Sequence, residues 1–392
     1  MRIAFGIVSL FPGGGLQRDC VEIAKIVRNQ DHEVVTYTCR LRDYEATDDN
    51  PVMLLQNNAT TNHRRQYKFA IDFLRETSDH FDLVVGFDKL LNLDVLYCAD
   101  ASMAYRMRQQ KYLLLSQRYR GFRKLEESSF SPNRPTQIIL LSPKQVIQYE
   151  SAWNTELDRM TVIPGTMSLN RRHPEYRHNG IRQKLRSLLG FSPGDWVWLS
   201  IGVQPKTKGI DRTIDALSRF PNAQLLIAGL NQTDRASEKL LLRARKYHVA
   251  ARVKWLGHHE DICSIMAASD LLIHPARYDT TGTIILEAIA NGLPVITTAS
   301  CGYAHHVEVA DAGVVINEPF DFSLFVAALR RAQNPKILST WSAAAEKYGE
   351  EPALYRGRAL AAEIIINVGK TLHKSKDKNS MGKLLRLTHS AI

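Results

Sequence analysis

Residues 271–296 read LLIHPARYDTTGTIILEAIANGLPVI, a pattern that predicts a buried strand, a loop carrying an acid, a helix opened by glycine and a second buried strand. Seven residues separate Asp279, before the helix, from Glu287, within it, so this pair can bind hydroxyl groups at two places on an extended ligand. The first amides of a helix have no partner inside it and are available to a phosphate. The alternative for Asp279 alone is that it only caps the helix.

Short apolar runs alternate with helical stretches along the 392 residues. Continuous Val, Ile and Leu runs are typical of strands buried on both faces, and their alternation with helices predicts parallel sheets with right-handed crossovers. The predicted strands are Ile3–Ser9, Glu33–Thr38, Leu83–Gly86, Val95–Cys98, Ile138–Ser142, Thr161–Pro164, Val197–Gly202, Gln224–Ala228, Val253–Leu256, Leu271–His274, Val295–Thr298 and Val314–Ile316. We therefore expect an α/β protein with two Rossmann-like domains.

The predicted domain boundary lies in the polar stretch 166–179, which follows Ile163-Pro164-Gly165. An N-terminal domain is expected at 1–165 and a C-terminal domain at 166–350. A last helix is expected at 351–370, packing back on the N-terminal domain. The final segment, 371–392, is rich in lysine and is expected to be a basic flexible tail.

The composition, with 44% hydrophobic and 23% charged residues, is that of a soluble globular protein. No apolar run approaches the roughly 20 residues that span a bilayer, and the apolar N-terminus leads into Gly13-Gly14-Gly15, which indicates a first strand and not a signal peptide. The five cysteines are odd in number and include no C-x-x-C pair, which argues against disulfides and a zinc site. We therefore expect a protein of the reducing cytosol without a zinc site.

The net charge of +11 predicts an anionic partner, and part of the excess is concentrated in one segment. Between Ala101 and Leu125 there are seven basic residues and no acidic one: Arg106, Arg108, Lys111, Arg118, Arg120, Arg123 and Lys124. Interleaved aromatic and leucine side chains suit an anionic membrane surface, at roughly 1 kcal/mol per Lys or Arg. A solvated helix face is the alternative. No recognition motif for nucleic acid accompanies the charge, so no nucleic acid partner is expected.

Two loops that follow predicted strands carry glycine or lysine. Residues 11–19 read FPGGGLQRD, in which Arg18 replaces the glycine of a dinucleotide fingerprint, so the interpretation stays open between an anion pocket and a tight turn. Residues 201–211 read IGVQPKTKGID and place Lys206 and Lys208 at the carboxyl edge of a sheet, where α/β folds bind ligands. Ammonium groups there can neutralise a diphosphate leaving group, although two such lysines can also form a solvated patch.

Residues 279–295 resemble the hallmark of the retaining GT-B glycosyltransferases of family 4, E-x7-E followed by A-x-x-x-G-x-P-V. The stretches GGLQRD at 14–19, VGFDK at 85–89, LDV at 93–95, AD at 99–100 and CGYAH at 301–305 resemble, more narrowly, the lipopolysaccharide core glucosyltransferase I type. The resemblance runs from about residue 2 to about residue 368.

This resemblance implies a GT-B fold, with the parallel sheets of two Rossmann-like domains facing a central cleft. It implies a retaining, metal-independent transfer of a hexose, glucose from UDP-glucose, onto a heptose of the lipopolysaccharide inner core. The partners implied are the nucleotide sugar, a lipid-linked anionic glycan acceptor and the anionic membrane surface. The implied location is the cytoplasm, in peripheral association with the inner membrane.

The resemblance also implies roles for residues of the donor site. Glu287 would bind the ribose and Asp279 the donor sugar, while Lys208, with Lys206, would hold the diphosphate. The backbone amides of Gly15, Thr281, Gly282 and Thr283 would complete the diphosphate site, and Gly257, in the loop 256–258, would border the nucleobase. Two positions depart from the pattern, because Asp279 is one methylene shorter than glutamate and Val203 stands where many relatives carry arginine.

On the acceptor side, Asp100 and Asp19 would face the acceptor hydroxyl. His63 and Arg64 are candidates for contact with acceptor phosphates, although a surface histidine beside arginines is equally consistent with no role. Two other functions fit the sequence. One is a family 4 transferase that uses another nucleotide sugar for a capsular or exopolysaccharide lipid intermediate. The other is a nucleotide-binding module without turnover, held to a membrane by its basic segments.

Overall fold

The computed structural model describes residues 1–44, 46–47 and 50–388, with side chains described as far as residue 373. The chain divides into two compact units. The first consists of Met1–Pro164 together with the C-terminal segment that begins at Arg356. The second is the continuous stretch Gly165–Tyr355.

The first unit is built on a seven-stranded parallel sheet. Its elements up to Pro164 are β1 (Arg2–Gly6), α1 (Gly15–Arg28), β2 (Glu33–Thr38), β3 (Val52–Leu54), α2 (Asn62–Thr77), β4 (Leu83–Gly86), β5 (Val95–Cys98), α3 (Met103–Gln109), α4 (Gln117–Phe130), β6 (Gln137–Leu140), α5 (Pro143–Trp153) and β7 (Met160–Val162). The strand order is β3-β2-β1-β4-β5-β6-β7. Successive strands are added on one side of β1 up to β3 and on its other side from β4 onward, so the strand order reverses between β1 and β4.

The second unit is built on a six-stranded parallel sheet. Its elements are α6 (Ile181–Leu188), β8 (Trp196–Ile201), α7 (Pro205–Lys208), α8 (Ile210–Leu217), β9 (Ala223–Ala228), α9 (Glu238–Lys246), β10 (Val253–Gly257), α10 (Ile262–Ala268), β11 (Leu271–His274), α11 (Thr283–Ala290), β12 (Val295–Thr298), α12 (Ala304–Val309), β13 (Gly313–Ile316), α13 (Phe322–Ala332) and α14 (Pro335–Tyr348). The order is β10-β9-β8-β11-β12-β13, so the reversal falls between β8 and β11.

Short 3-10 helices complete the secondary structure. They are Lys111–Leu115, Leu157–Arg159, Leu169–Arg171, Pro174–Arg177, Ala250–Arg252 and Pro352–Tyr355. The prediction of two parallel sheets flanked by helices is confirmed, and every predicted strand is present with its ends shifted by a few residues at most. The structure also contains one strand that the sequence did not predict, the short strand β3.

The last helix, α15 (Gly357–Thr388), belongs to the first unit. Its buried side chains, among them Ala361 and Ile365, share a core with Cys20 and Ile23 of α1. The structure differs here from the predicted flexible tail at 371–392, because the helix continues to Thr388 and only 389–392 lie outside the described residues. The physical reason is composition, since lysine, leucine and arginine favour helices and no proline interrupts the segment.

Within the described ranges 1–44, 46–47 and 50–388, no helix combines the length and the apolar character needed to cross a bilayer. All five cysteines carry free thiols, and four of them are buried.

Candidate functional site

The carboxyl edge of the second sheet brings together Lys208 and Asp279, two of the predicted donor-site residues. Lys208 ends α7, which follows β8, and Asp279 lies in the loop after β11. Lys208 Nζ donates to Asp279 Oδ2 at 2.7 Å. Strands β8 and β11 flank the point where the strand order reverses, which is the usual ligand site of open α/β sheets. This ion pair therefore marks the most favourable place for a ligand in the second unit.

Two glycines allow Lys208 to lie at this edge. A Cβ on Gly202 would lie 2.8 Å from Cγ of Lys208, so the lysine stem occupies the space that a side chain would need. Gly209 has a φ of +72°, and a Cβ there would lie 2.0 Å from the backbone oxygen of Pro275. The absence of a Cβ at both positions is thus a condition for the observed place of Lys208.

Lys206 lies in the same loop, with its side chain exposed. Its backbone oxygen accepts a hydrogen bond from Arg277 Nη1 at 2.7 Å. Arg277 also donates to both carboxylate oxygens of Asp211, each at 2.7 Å. These bonds hold the loop after β8 against the loop after β11 and leave the Lys206 ammonium group on the surface.

His274, the last residue of β11, is a second partner of Asp279. His274 Nε2 lies 2.9 Å from Asp279 Oδ2, and the histidine is 1% exposed. Burial would raise the pKa of Asp279, but the hydrogen bond from His274 and the charge of Lys208 outweigh it and lower the pKa to about 2. Burial would likewise lower the pKa of His274, but its hydrogen bonds to Asp279 and Cys301 raise the pKa to about 9. At neutral pH Asp279 is therefore ionised and His274 carries a positive charge.

Cys301, which follows β12, completes this cluster. One ligand atom from each of His274, Asp279 and Cys301 lies within 4.8 Å of the others, and no other such group of three occurs in the part of the chain that the structure describes. Imidazole, thiolate and carboxylate are zinc ligands in proteins. However, Asp279 Oδ2 already accepts a hydrogen bond from the Lys208 ammonium group, so this oxygen has partners within the protein in the present arrangement. The expected absence of a metal stays a prediction.

The start of α11 lies beside Asp279. Gly282 precedes the helix with a φ of +77°, and the hydroxyl oxygens of Thr281 and Thr283 lie 3.4 Å apart. The amide of Gly302 donates to the Asp279 backbone oxygen at 3.0 Å, which holds this loop to the loop after β12. Since the first amides of a helix have no partner within it, the start of α11 offers N–H groups to an anion next to Lys208.

Glu287 lies inside α11 and pairs with an arginine that the sequence did not indicate. Arg171 donates to Glu287 Oε2 from Nη2 at 2.8 Å and to Oε1 from Nε at 3.3 Å, and Glu287 is only 5% exposed. The backbone oxygen of Arg171 accepts from Asn291 Nδ2 at 2.8 Å, so α11 also holds the arginine backbone. Arg171 lies in the polar stretch 166–179, which suggested only a linker.

Gly257 ends β10 at the same carboxyl edge. Its amide donates to the Leu230 oxygen at 3.0 Å, and its oxygen accepts from the Gly229 amide at 2.7 Å. A Cβ on Gly257 would lie 2.3 Å from Asn231 Oδ1, which explains the preference for glycine here. The structure therefore places Gly257 at a tight contact between two strand ends, and its predicted place beside a nucleobase stays a prediction.

In the first unit, Asp19 and Asp100 have different environments. Both carboxylate oxygens of Asp19 have partners, since Tyr97 Oη donates to Oδ2 at 2.7 Å and Arg358 Nε donates to Oδ1 at 2.8 Å. The side chain of Asp100 is exposed, while its backbone oxygen accepts from Tyr149 Oη at 2.8 Å and Gln145 Nε2 at 2.9 Å. Of the two acids predicted to face an acceptor, only Asp100 has a carboxylate open to solvent.

Asp88 is an acid of the first unit that the sequence did not single out. It follows β4, and its Oδ2 accepts from the Val8 amide, which follows β1, at 2.7 Å. Asp88 thus links the ends of β1 and β4, the two strands between which the strand order reverses. Burial, followed by the nearby charge of Asp100, raises the pKa of Asp88 to about 7. The sequence signals were its place after an apolar run and within the stretch VGFDK at 85–89, which gave Asp88 no role of its own. Gly15 is the first residue of α1 at the same sheet edge, and no atom lies within 4 Å of the position of an added Cβ.

The basic segment 103–124 covers α3, the 3-10 helix Lys111–Leu115 and the first half of α4. Its seven basic side chains are all exposed, as are Tyr112, Leu114 and Leu115. The buried Glu126 holds the beginning of this segment, because it accepts from the amides of Met103 and Ala104 and from Lys89 Nζ at 2.7, 3.1 and 2.7 Å respectively.

His63 and Arg64 lie in the first turn of α2. The His63 ring packs edge to face on Phe122 of α4, with ring centroids 6.4 Å apart, and Arg64 is exposed. The structure therefore brings His63 next to the basic segment within the first unit.

A family model matches part of this chain, and one relative matches nearly all of it. Residues 181–348, in the second unit, match the family described as glycosyl transferases group 1. The lipopolysaccharide glucosyltransferase WaaG of Escherichia coli (strain K12) is 34% identical over 377 aligned residues, and the match covers 93% of this chain and 98% of that protein. The mannosylfructose-phosphate synthase of Agrobacterium fabrum is 27% identical over 57% of this chain and 53% of its own length.

Solved structures show the same fold. The crystal structure of WaaG, a glycosyltransferase involved in lipopolysaccharide biosynthesis, matches with a TM-score of 0.84 and 32% identity over 93% of this chain and 99% of that chain. The Anabaena protein Alr3699/HepE, crystallised with UDP and glucose, matches with a TM-score of 0.68 and 19% identity over 96% of this chain and 100% of its own. Because only 19% of the residues are identical, the match to Alr3699/HepE shows a shared fold alone.

Proposed function

Since this chain belongs to the group 1 glycosyltransferases and has the GT-B fold, we propose that it transfers glucose from UDP-glucose, with retention, onto a heptose of the lipopolysaccharide inner core. The observation that carries the proposal is the Lys208–Asp279 ion pair, which lies where the strand order of the second sheet reverses. The chain that contains this pair is 34% identical to WaaG, with 93% of its length covered. We further propose that the reaction needs no metal and takes place at the cytoplasmic face of the membrane.

The proposed donor site lies at the carboxyl edge of the second sheet. Lys208 binds the diphosphate of the donor together with the amides at the start of α11, and Lys206 adds a second positive charge. Asp279 binds hydroxyl groups of the sugar, for which it is suited because its low pKa keeps it an acceptor. Glu287 binds the ribose hydroxyls, which requires it to exchange part of its pairing with Arg171 for the ligand.

The proposed chemistry is attack of the acceptor hydroxyl on the anomeric carbon from the face that the diphosphate leaves. The departing phosphate oxygen takes the proton of that hydroxyl, so one C–O bond forms as another breaks. Lys208 and the helix-start amides stabilise the charge that develops on the diphosphate. Asp100 orients the acceptor, whereas Asp19, with both oxygens paired, serves the fold of the first unit.

The basic segment 103–124 supports the proposed site of action. Its exposed arginines, lysines and leucines match the chemistry of an anionic membrane surface, where a lipid-linked anionic glycan would be presented. His63, adjacent to this segment, and Arg64 are proposed to contact acceptor phosphates.

Purified protein with UDP-glucose and a heptose-terminated acceptor tests the proposal. We expect K208A to lose roughly a hundredfold to a thousandfold in turnover, as is typical when a group that stabilises transition-state charge is removed. E287A should also lose most of the turnover, because the ribose of the donor is no longer held. The matched control is K246A, which removes an exposed lysine of α9. Wild-type turnover in K208A and E287A would contradict the assigned site.

A donor panel separates the two transferase functions. Binding of the correct donor raises the melting temperature by mass action, so UDP-glucose is expected to give the largest shift. A larger shift and turnover with UDP-galactose, a UDP-N-acetylhexosamine or GDP-mannose would favour a transferase for another surface glycan, which the shortened acid Asp279 would accommodate. Donor binding without transfer or hydrolysis would instead favour a nucleotide-binding module.

A further inference from the structure

The two oxygens of the Asp279 carboxylate are not equivalent. Oδ2 accepts from Lys208 Nζ at 2.7 Å and lies 2.9 Å from His274 Nε2. Oδ1 has no hydrogen-bond partner among the described residues. The carboxylate is therefore held through one oxygen, and the other remains available to a ligand.

His274 is the more rigid of the two partners. Its side chain is 1% exposed, and its backbone oxygen accepts from Thr297 Oγ1 of the neighbouring strand at 2.9 Å. A ring nitrogen of His274 also lies within 4.8 Å of the Cys301 sulfur. Lys208, by contrast, reaches Asp279 through a long stem and its side chain is 26% exposed. The imidazole is thus the contact that fixes the orientation of the carboxylate.

Lys208 is also committed to a second task in the proposed donor site. Its ammonium group would turn toward the diphosphate when the donor binds, which weakens its hold on Asp279. His274 is buried at the end of β11 and keeps its contact with Asp279. A fixed orientation of the carboxylate matters more here because aspartate is shorter than the glutamate of the E-x7-E pattern. A small rotation of the shorter side chain would break its contact with the sugar hydroxyls.

We propose that His274 is a positioning residue: by holding Oδ2 of Asp279, it presents Oδ1 to the hydroxyl groups of the donor sugar. The inference rests on the proposed donor site, and it assigns His274 to recognition of the sugar and not of the nucleotide. Removal of the imidazole contact therefore changes the affinity for a nucleotide sugar and leaves the affinity for the free nucleotide unchanged.

The test compares H274N with H274Q, using titration calorimetry with UDP and with UDP-glucose. The amide nitrogen of glutamine can reach the place of Nε2, whereas that of asparagine is too short to contact Asp279. We expect H274N to bind UDP-glucose about tenfold to a hundredfold more weakly, the usual range for a hydrogen bond to a charged group, and to bind UDP as the wild type does. H274Q should restore most of the loss.

A double-mutant cycle asks whether His274 acts through Asp279. D279N alone should weaken UDP-glucose binding, and H274N should add nothing in that background, because the carboxylate that it orients is gone. H306Q is the matched control, since the ring of His306 pairs with Tyr348 and not with Asp279. It should leave both affinities unchanged.

The outcomes separate the inference from the function on which it rests. Equal loss of UDP and UDP-glucose affinity in H274N, equal behaviour of H274N and H274Q, or full additivity with D279N would each overturn the positioning role. If the wild type binds neither UDP nor UDP-glucose, the proposed donor site itself fails, whatever the variants do.

Discussion

At the scale of single residues, Glu126 shows how much one buried carboxylate can organise. It is 0% exposed and accepts from Lys89 Nζ at 2.7 Å, from Ser102 Oγ at 2.6 Å and from Trp153 Nε1 at 2.7 Å. Burial alone would raise its pKa, but the charge of Lys89 and these hydrogen bonds outweigh burial and lower the pKa below 4.5. A charge so fully paired stabilises the first unit only while both partners remain.

We expect E126Q to destabilise the first unit by about 3–5 kcal/mol, because it leaves the buried Lys89 ammonium without its counter-charge. Urea unfolding followed by hydrogen exchange of β4 and β5 measures this loss. E33Q is the control, since Glu33 pairs with Arg2 at a surface where its side chain is 58% exposed, and it should cost less than about 1 kcal/mol.

The pH dependence of the same pair follows from the sign of the pKa shift. A carboxylate with a lowered folded pKa contributes its stability above the unfolded value of about 4.5 and loses it as the pH falls through the folded pKa. The stability gap between the wild type and E126Q should therefore be constant near neutral pH and narrow below about pH 4.5. A gap that does not narrow in acid would contradict the role of the charge.

The sequence indicated some residues of the candidate site and not others for a physical reason. Asp279 and Glu287 stand at a fixed spacing on one loop and one helix, and Lys208 follows an apolar run, so local pattern was sufficient for all three. Arg171 meets Glu287 across 116 positions in the chain, and nothing in its own neighbourhood indicates that contact. The same holds for the closed environment of Asp19, whose partner Arg358 lies 339 positions away.

At the scale of elements, the turn between α7 and α8 depends on Gly209. We expect G209A to destabilise the second unit by more than about 2 kcal/mol, since alanine pays for a positive φ and its Cβ would meet the Pro275 oxygen at 2.0 Å. Thermal unfolding measures the loss, and UDP affinity should fall with it because Lys208 is displaced. G194A is the control, because a Cβ there meets nothing within 4 Å and should change stability by less than about 0.5 kcal/mol. Equal stability of the two variants would refute this account.

Strands were predictable where both faces are buried. The central strands read as continuous apolar runs, so β4, β5, β11 and β12 have the predicted ends. Strand β3 was missed because it is an edge strand of three residues in which Met53 and Leu54 are exposed, so no pattern of burial shaped its sequence. Helix α15 was predicted too short, since the composition of its second half suits a helix as well as a tail.

At the scale of the whole molecule, the distribution of the net charge of +11 makes the proposed membrane contact testable, because part of the excess lies in the basic segment 103–124. Replacing Arg118, Arg120 and Lys124 by glutamine should weaken binding to vesicles that contain anionic lipid by about a hundredfold, at ~1 kcal/mol per charge. Co-sedimentation measures the binding, which should also fall with added salt. The matched control replaces Lys239, Arg245 and Lys246, three exposed basic residues of α9. An equal effect of both triple variants would show that total charge, and not the segment 103–124, determines binding.

The return of the chain to its first unit reverses the order in which the protein can be completed during translation. Residues 165–355 are all synthesised before α15, whose Ala361 and Ile365 fill the same core as Ile23 of α1. The second unit can thus fold on the ribosome while the first, although begun earlier, still exposes the apolar face that α15 will cover. A nascent chain interrupted before α15 would carry a complete second unit and an incomplete first unit, so the unit that contains the basic segment 103–124 is the last to be completed.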